Sequence, residues 1–286
     1  MWLAFALASA GFAGATSILA KIGVRDVDSN LATALRTVVV LLFSWLMVFI
    51  VGSQHTLANL SLHSLTFLIL SGLATGASWL CYFRALQLGD VNKVTPVDKS
   101  GTILTIFLAF LLLGEPMGLG TIAAMTLIAI GTLLMIERKP VTASGSQSRS
   151  WLFYALLSAL FAALTAILGK VGIQGVNSTL GTAIRTIVVL LLAWGIVLFQ
   201  KKLPLMRTID RKSWVFIGLS GLATGLSWLC YYRALQDGPA SIVVPIDKLS
   251  IVVTVAFAYF FLKEPLTRKS FAGLCLIVFG TLLLLV

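Results

Sequence analysis

The sequence predicts an all-α integral membrane protein with ten transmembrane helices in two inverted five-helix repeats. Three observations support this: 59% of the 286 residues are hydrophobic, apolar runs reach membrane-spanning length, and the second half repeats the first. About 20 apolar residues cross a bilayer as a helix. Backbone that faces lipid must satisfy its own hydrogen bonds, and the alternating pattern of a closed barrel is absent. A soluble helical protein is the alternative, but the uncharged runs are too long and too many for it.

The repeat has a constant offset of 149 residues. Residues 71–87 match residues 220–236 at 15 of 17 positions, and similar matches extend along both halves. A constant offset over the whole chain indicates a duplicated structural unit. The predicted domains are a first five-helix repeat at 1–136, a linker loop at 137–150 and a second five-helix repeat at 151–286.

Each repeat contains five apolar runs, which we number as spans 1 to 10. Those of the first repeat are residues 2–23, 31–51, 62–88, 93–113 and 119–136. Those of the second repeat are residues 151–172, 180–200, 213–236, 242–262 and 268–286. Span 1 is interpreted as a retained helix, because it lacks a basic segment before it and its duplicate lies in mid-chain. Pro96 and Pro245 are expected in the first turns of spans 4 and 9, where a missing N–H is tolerated.

An odd number of spans in each repeat predicts that the two repeats insert with opposite orientations. Such inverted repeats are the usual architecture of secondary transporters that work by alternating access. The loop charges support the count, because the loops after odd-numbered spans, together with the first residues of the spans that follow them, hold thirteen Lys and Arg, and the loops after spans 2, 4, 6 and 8 hold none. The positive-inside rule then places the basic loops in the cytoplasm and both termini outside. The short basic loops contain no nucleic-acid-binding module, so no nucleic-acid partner is expected.

Ten charged side chains lie within the spans or at their ends, where a charge in hydrocarbon costs several kcal/mol. They are predicted to form the charged ends of a cavity: Lys21, Arg36, Arg84, Asp98, Lys99, Lys170, Arg185, Arg233, Asp247 and Lys248. We expect Asp98 to pair with Arg36, Arg84 or Lys21 at one mouth. We expect Asp247 to pair with Arg185, Arg233 or Lys170 at the other. Snorkelling of the long bases at span ends is the alternative.

Polar and aromatic stripes on otherwise apolar spans predict the wall of a substrate cavity. The predicted cavity residues are Ser17, Thr75, Ser78, Trp79, Tyr82, Thr102, Thr224, Ser227, Trp228 and Tyr231. Interfacial belts, in which Trp and Tyr lie at the membrane surface, are the competing interpretation. Eight embedded bases against two acids favour an anionic or zwitterionic substrate.

Other kinds of chemistry have little support in the sequence. The three cysteines lie in apolar spans without a CxxC motif and the two histidines are isolated, so no metal site is expected. The phosphate-binding motif GxxxxGK[ST] is absent, as is a nucleophile with its base and acid. We therefore expect neither an enzyme nor a bound cofactor.

The repeated motifs resemble the EamA domain. A base ends the first span of each repeat (Lys21, Lys170), and the second span of each repeat contains Leu35-Arg36 or Ile184-Arg185. The pattern Tyr-x-Arg-Ala-Leu occurs at 82–86 and 231–235, and Glu-Pro occurs as Glu115-Pro116 and Glu264-Pro265. Two such domains in tandem resemble ten-helix members of the drug/metabolite transporter superfamily. The resemblance implies a carrier of small metabolites, often an exporter of amino acids or related compounds.

Two features depart from the family pattern. Small multidrug-resistance relatives use a carboxylate in helix 1 for proton and cation exchange, but residues 2–20 contain no acid. Ten-helix relatives are often drawn with cytoplasmic termini, whereas the loop charges predict the reverse.

The function expected from the sequence is secondary active transport of a small polar metabolite, amino-acid-like or an organic anion. The expected direction is export across the bacterial inner membrane, with lipid as the surrounding partner and the coupling ion open. A flippase for a lipid or lipid-linked metabolite, and a passive channel, are the alternatives.

Overall fold

The computed structural model describes residues 1–23, 27–88, 94, 97–135, 150–260 and 266–285, and their regular structure is entirely helical. This confirms the all-α prediction. The α-helices are α1 Trp2–Gly23, α2 Ser29–Val51, α3 Leu62–Leu88, α4 Gly101–Leu113, α5 Leu119–Leu134, α6 Ser150–Gly172, α7 Ser178–Phe199, α8 Arg211–Asp237, α9 Ala240–Lys248, α10 Ser250–Phe260 and α11 Arg268–Leu283. Short 3₁₀ helices follow α2 and α7, at Ser53–Asn59 and Leu203–Thr208.

Seven helical segments within the described ranges are long and apolar enough to cross a membrane. They are Trp2–Ala20, Ser29–Val51, Leu62–Leu88, Ser150–Gly172, Ser178–Phe199, Arg211–Asp237 and Ala240–Phe257. The predicted linker falls almost entirely on residues 136–149, which lie outside the described ranges together with Pro96.

Polar caps explain why several helices begin two residues before the predicted spans. The carboxylate of Asp28 accepts hydrogen bonds from the backbone N–H groups of Asn30 and Leu31, and Asn177, its duplicate, accepts from Thr179. Asp210 caps α8 in the same way. Such caps satisfy N–H groups that have no partner inside the helix.

The ninth predicted span is broken into two helices. α9 ends at Lys248 and α10 begins at Ser250, with a tighter turn in which the Leu249 N–H bonds to the Ile246 carbonyl at 2.9 Å. Pro245 lies in the second turn of α9, so the expectation that it lies in the first turn is wrong. Its ring cannot donate to the carbonyl one turn earlier, which weakens the helix near the break. The fourth span has a similar turn at Ser100, whose N–H bonds to the Val97 carbonyl at 3.2 Å.

Helix packing divides the chain into two compact units, and each unit contains segments of both sequence halves. The first unit comprises Met1–Leu73, Leu168–Gly238 and Ile246–Leu262. Within it α1 packs along α8, and α2 packs against α7 and α8. Glycines permit the close approach: a Cβ on Gly221 would lie 2.6 Å from the Val39 Cβ, and one on Gly72 would lie 2.7 Å from the Val188 Cβ.

The second unit comprises Ala74–Ile167, Pro239–Pro245 and Lys263–Val286. Its α5 packs against α11 at a very tight crossing, where a Cβ on Gly131 would lie 2.6 Å from the Gly273 carbonyl oxygen. In the same unit α3 is joined to α6 by side-chain hydrogen bonds, among them Thr75 to Thr165. Small residues at crossings are the usual means of close helix packing in membranes.

Candidate functional site

A cavity of about 160 Å³ lies in the first unit beside Arg36, which is in the third turn of α2. Its lining combines one cation, three hydroxyl residues and apolar groups: Arg36, Ser29, Thr33, Ser220, Ala20, Ala32 and Ile217. The backbone of α8 reaches α2 here because Gly221 has no side chain, and a Cβ on it would lie 3.0 Å from the Arg36 carbonyl oxygen. The cavity is large enough for several water-sized groups.

Two of the three hydroxyl groups of this cavity already donate their protons to backbone carbonyls. Thr33 donates to the Ser29 carbonyl at 2.7 Å, and Ser220 donates to the Thr16 carbonyl at 3.3 Å. Each of these two oxygen atoms can still accept a hydrogen bond. The Arg36 guanidinium supplies donors and a positive charge, and within the described ranges it forms no ion pair with a carboxylate. The site can thus take an anionic group beside a hydrogen-bond donor.

Arg185, the duplicate of Arg36, has a different environment. It is 3% exposed, its Nε donates to the Ser71 Oγ at 3.0 Å, and its Cζ lies 5.1 Å from the Trp228 ring and 4.9 Å from the Tyr232 ring. Such cation–π contacts compensate part of the cost of burying a guanidinium. Ser71 is the duplicate of Ser220, so each arginine lies near the equivalent serine of the other repeat. One arginine lines a cavity, whereas the other is covered by aromatic rings.

Asp247, at the end of α9, accepts a hydrogen bond from a serine of α1, and that serine contacts a second serine on α8. The Ser9 hydroxyl donates to the Asp247 Oδ1 at 2.6 Å, and the Ser9 and Ser227 Oγ atoms lie 3.3 Å apart. Ser227 donates in turn to the Ser9 carbonyl at 3.2 Å. Lys248 Nζ lies 3.7 Å from the other carboxylate oxygen.

Asp98 has the equivalent surroundings in the second unit. The Ser158 hydroxyl lies 2.7 Å from Asp98 Oδ1 and 3.0 Å from the Ser78 carbonyl oxygen, and the two serine Oγ atoms lie 3.3 Å apart. Ser78 donates to the Ser158 carbonyl at 3.1 Å. Ser158 and Ser78 are the duplicates of Ser9 and Ser227, so the cluster of one Asp and two Ser occurs twice. Each acid is bonded to a serine in the first span of the other repeat.

The remaining predicted charged residues have other contacts. Lys170 donates to the Gly238 carbonyl at the end of α8, Arg233 pairs with Asp237 at 3.2 Å, and the exposed Arg84 donates to Gln87 at 2.9 Å. The side chains of Lys99 and Lys248 are exposed. The side chain of Lys21 lies outside the described part of the structure. The predicted pairing of Asp98 and Asp247 with these bases stays a prediction.

The predicted cavity residues are distributed between helix contacts and half-buried positions. None of them lines the Arg36 cavity. Thr75 and Thr224 are buried and face Thr165 and Thr16, each at 3.3 Å between hydroxyl oxygens, while Ser78 and Ser227 belong to the aspartate clusters. Ser17 is exposed and donates to the Ala13 carbonyl, and Thr102 is buried. Trp79 and Tyr82 are half-buried. The Trp228 ring lies over Arg185, and the Tyr231 ring is edge-on to the Tyr232 ring.

Several residues of these sites were missed by the sequence analysis. Ser9, Ser158, Ser71 and Ser220 carry a signal that could have identified them, since each pair is identical at the repeat offset of 149. Glu115, seen only as part of a motif, accepts hydrogen bonds from the Ala240 and Ser241 N–H groups at 2.7 and 2.8 Å. It therefore caps the helix that carries Asp247 at its other end.

Comparisons with known proteins agree with this architecture. The EamA-like transporter family matches residues 1–137 and 149–286. A Sinorhizobium protein named as an uncharacterized transporter in the cobO 3′ region is 48% identical over 139 residues, which are 49% of this chain and 99% of that protein. A Pseudomonas aeruginosa protein named as a probable 4-amino-4-deoxy-L-arabinose-phosphoundecaprenol flippase subunit, ArnE, is 38% identical over 74 residues, 26% of this chain and 63% of that protein. A solved crystal structure has a TM-score of 0.79 at 15% identity and covers 99% of this chain and 97% of its own, a likeness of fold.

Proposed function

The chain belongs to the EamA-like transporter family of the drug/metabolite transporter superfamily, and from this premise we propose that it is a secondary active transporter for a small anionic or zwitterionic metabolite. The two repeats, 1–136 and 151–286, joined by the linker 137–150, insert with opposite orientations. The substrate crosses the inner membrane by alternating access, and the net direction is export. Both termini lie outside the cytoplasm.

The observation that carries this proposal is the contrast between the two duplicated arginines. Arg36 lines a cavity together with Ser220, while Arg185 bonds to Ser71 beneath Trp228 and Tyr232. Inverted repeats exchange environments when a carrier changes its orientation. In any one orientation of such a carrier, one repeat is expected to have an open arginine site and the other repeat a covered one.

The Arg36 cavity also restricts the substrate class. A guanidinium in a partly desolvated site favours a carboxylate or phosphate and binds either of them with two parallel hydrogen bonds. The hydroxyl oxygens of Thr33 and Ser220 are left as acceptors, which suits the ammonium group of an amino acid. A volume of about 160 Å³ fits a small polar metabolite or the head of a larger one.

Transport into proteoliposomes tests the proposal. Substrates are first selected from a panel of amino acids and organic acids by thermal stabilisation, since a ligand that binds the folded state raises apparent stability. Labelled substrate is then followed in counterflow, where trans substrate drives uptake. Arg36→Gln should weaken substrate binding by about 10- to 100-fold, the cost of a charge-assisted hydrogen bond.

Arg207→Gln is the matched control, because Arg207 is exposed in the 3₁₀ helix after α7. It should bind and exchange substrate as the wild type does. Saturable uptake without trans-stimulation would indicate a different mechanism, and non-saturating flux would indicate a channel. If Arg36→Gln and Arg207→Gln lost the same amount of substrate affinity, the Arg36 cavity would not be part of the transport path.

A flippase is the second candidate, favoured by the similarity to the ArnE flippase subunit. A lipid-linked substrate leaves its tail in the bilayer while its polar head crosses the protein. Flipping of a fluorescent phosphoundecaprenol derivative in proteoliposomes that show no counterflow would favour this alternative.

A further inference from the structure

In each aspartate cluster, one serine hydroxyl has two hydrogen-bond acceptors within reach. Ser158 Oγ lies 2.7 Å from Asp98 Oδ1 and 3.0 Å from the Ser78 carbonyl oxygen. When the carboxylate is charged, the hydroxyl donates to it. When the carboxyl group is protonated, the hydroxyl turns to the carbonyl and accepts the acid proton on its own lone pair.

The second cluster has the same freedom. Ser9 Oγ lies 2.6 Å from Asp247 Oδ1 and 3.3 Å from Ser227 Oγ, and either serine can be the donor of that second contact. Ser9 and Ser158 are fully buried at 0% exposure, so water cannot replace these partners. Rotation of one hydroxyl therefore satisfies both protonation states without movement of a helix.

Resting on the proposed transport function, we propose that Asp98 and Asp247 are proton-binding sites that couple transport to the proton gradient, each held by a serine that rotates between two hydrogen bonds. Both acids lie where their span is interrupted, at the turns of Ser100 and Leu249. Coupling ions in transporters with inverted repeats bind at discontinuous helices. One site lies in each repeat.

The geometry favours a proton over a metal ion. Sites for hard cations need several oxygen ligands around one point, and among the described residues no group of three or more His, Cys, Asp or Glu could hold a metal. In both clusters the serine hydroxyls and carbonyls already bond to each other. Each cluster therefore has one oxygen pair between which a proton can be shared.

Other charged and titratable groups surround each acid. Around Asp247 these are Lys248 on its own helix and Tyr231 and Tyr232 on α8, which in turn interact electrostatically with Arg185 on α7. Around Asp98, Lys99 is the next residue in the chain, and Tyr82 and Tyr154 lie one turn from the serines on α3 and α6.

Infrared titration of the protein in phosphatidylethanolamine–phosphatidylglycerol membranes tests the proton sites without a substrate. We expect the two aspartates to contribute a carbonyl band of protonated carboxylic acid that disappears when the pH is raised. Asp98→Asn and Asp247→Asn should each remove roughly half of this band, and the double variant should remove it. Asp210→Asn, which alters an exposed cap, is the matched control and should leave the band unchanged.

The serine variants test the hydroxyl itself. Ser9→Ala and Ser158→Ala remove the donor that stabilises the charged carboxylate, so the midpoint of the corresponding half of the band should move to higher pH. A buried hydroxyl with a merely structural role would leave that midpoint in place. Absence of any band that the two Asn variants remove would overturn the proposal.

Proteoliposome transport separates the failure of this inference from failure of the proposed function. With a substrate identified by counterflow, an imposed pH gradient should drive accumulation in the wild type, and the Asn variants should lose that accumulation while still exchanging substrate. Full gradient-driven accumulation in both Asn variants would overturn proton coupling and leave the transport function intact. Absence of counterflow in the wild type would instead reject the transport function, whatever the infrared titration shows.

Discussion

Chemical access to equivalent threonines of the two repeats gives the sharpest test of the open and covered sites. Thr33 lines the Arg36 cavity, whereas its duplicate Thr182 is 0% exposed beside Arg185. In a protein whose Cys81, Cys230 and Cys275 are replaced by serine, each threonine is changed to cysteine. A membrane-impermeant thiol reagent should modify the cysteine at position 33 rapidly and that at position 182 slowly.

The size of the difference follows from the populations of the two orientations. A minor conformation a few kcal/mol above the major one is populated at about 0.1–10%. Since the cysteine at position 182 reacts only when its site opens, its rate should be lower by about 10- to 1,000-fold. Mass spectrometry of quenched time points measures both rates, and the reaction of both cysteines in denaturant is the control. Equal rates in the native protein would refute the assignment of an open and a covered arginine site.

The same two variants test the predicted orientation in the membrane. The loop charges place the Arg36 end of α2 at the cytoplasmic side, so the reagent should reach position 33 in inside-out vesicles and not in right-side-out vesicles. Reaction only in right-side-out vesicles would place the termini in the cytoplasm.

Three further predictions concern stability. Gly131→Ala puts a Cβ 2.6 Å from a backbone carbonyl of α11 and should lower the free energy of unfolding by about 1–3 kcal/mol. Gly120→Ala, on the same helix, meets nothing within 4 Å and should not destabilise the protein. Thermal unfolding in detergent compares the two variants, and equal melting temperatures would contradict the tight crossing. Glu115→Ala removes the cap of α9 and should lower the free energy of unfolding by about 1–2 kcal/mol. Glu115→Gln should have an intermediate effect. An unchanged melting temperature in both variants would show that the cap does not stabilise the protein. For Asp28, burial raises its pKa, but the bond to Lys202 and the backbone N–H bonds outweigh it, so that its pKa lies below the usual value. The stabilisation by the Asp28 carboxylate is therefore fully present above its unfolded-state pKa of about 3.9 and is lost as the pH falls through its lower folded-state pKa. The free energy of unfolding of Asp28→Asn should not show this dependence on pH.

Most of the helices could be predicted from the sequence with bounds that differ from the structure by a few residues. The exceptions are the fourth span, whose longest described helix begins at Gly101, and the ninth span, which forms two helices. Hydrophobicity and span length dictate them, because a backbone in lipid must form helices regardless of its neighbours. The interruption at Leu249 could not be located from the same pattern, since the apolar residues run through it and Pro245 alone does not fix where the turn tightens.

The site was predicted only in part. Arg36 was identified as an embedded charge, but its cavity depends on Ser220, which lies 184 positions further along the chain. Arg233, one of three bases expected to pair with Asp247, pairs with Asp237 one turn away on the same helix, where an i,i+4 pair forms without tertiary contacts. The aspartates were identified, but Ser9 and Ser158 were not, because only their identity at the repeat offset distinguishes them from other serines in apolar helices.

The sequence by itself determined that this chain is a helical membrane protein built from two copies of one unit, since both facts follow from composition and from self-similarity along the chain. The tertiary structure decided which residues of one copy meet those of the other. It joined Ser9 to Asp247, Ser158 to Asp98 and Ser71 to Arg185, and it left one arginine in a cavity while covering its duplicate. The physical reason is that two nearly identical local sequences adopt the same helices, whereas packing against different neighbours gives the same side chains different surroundings.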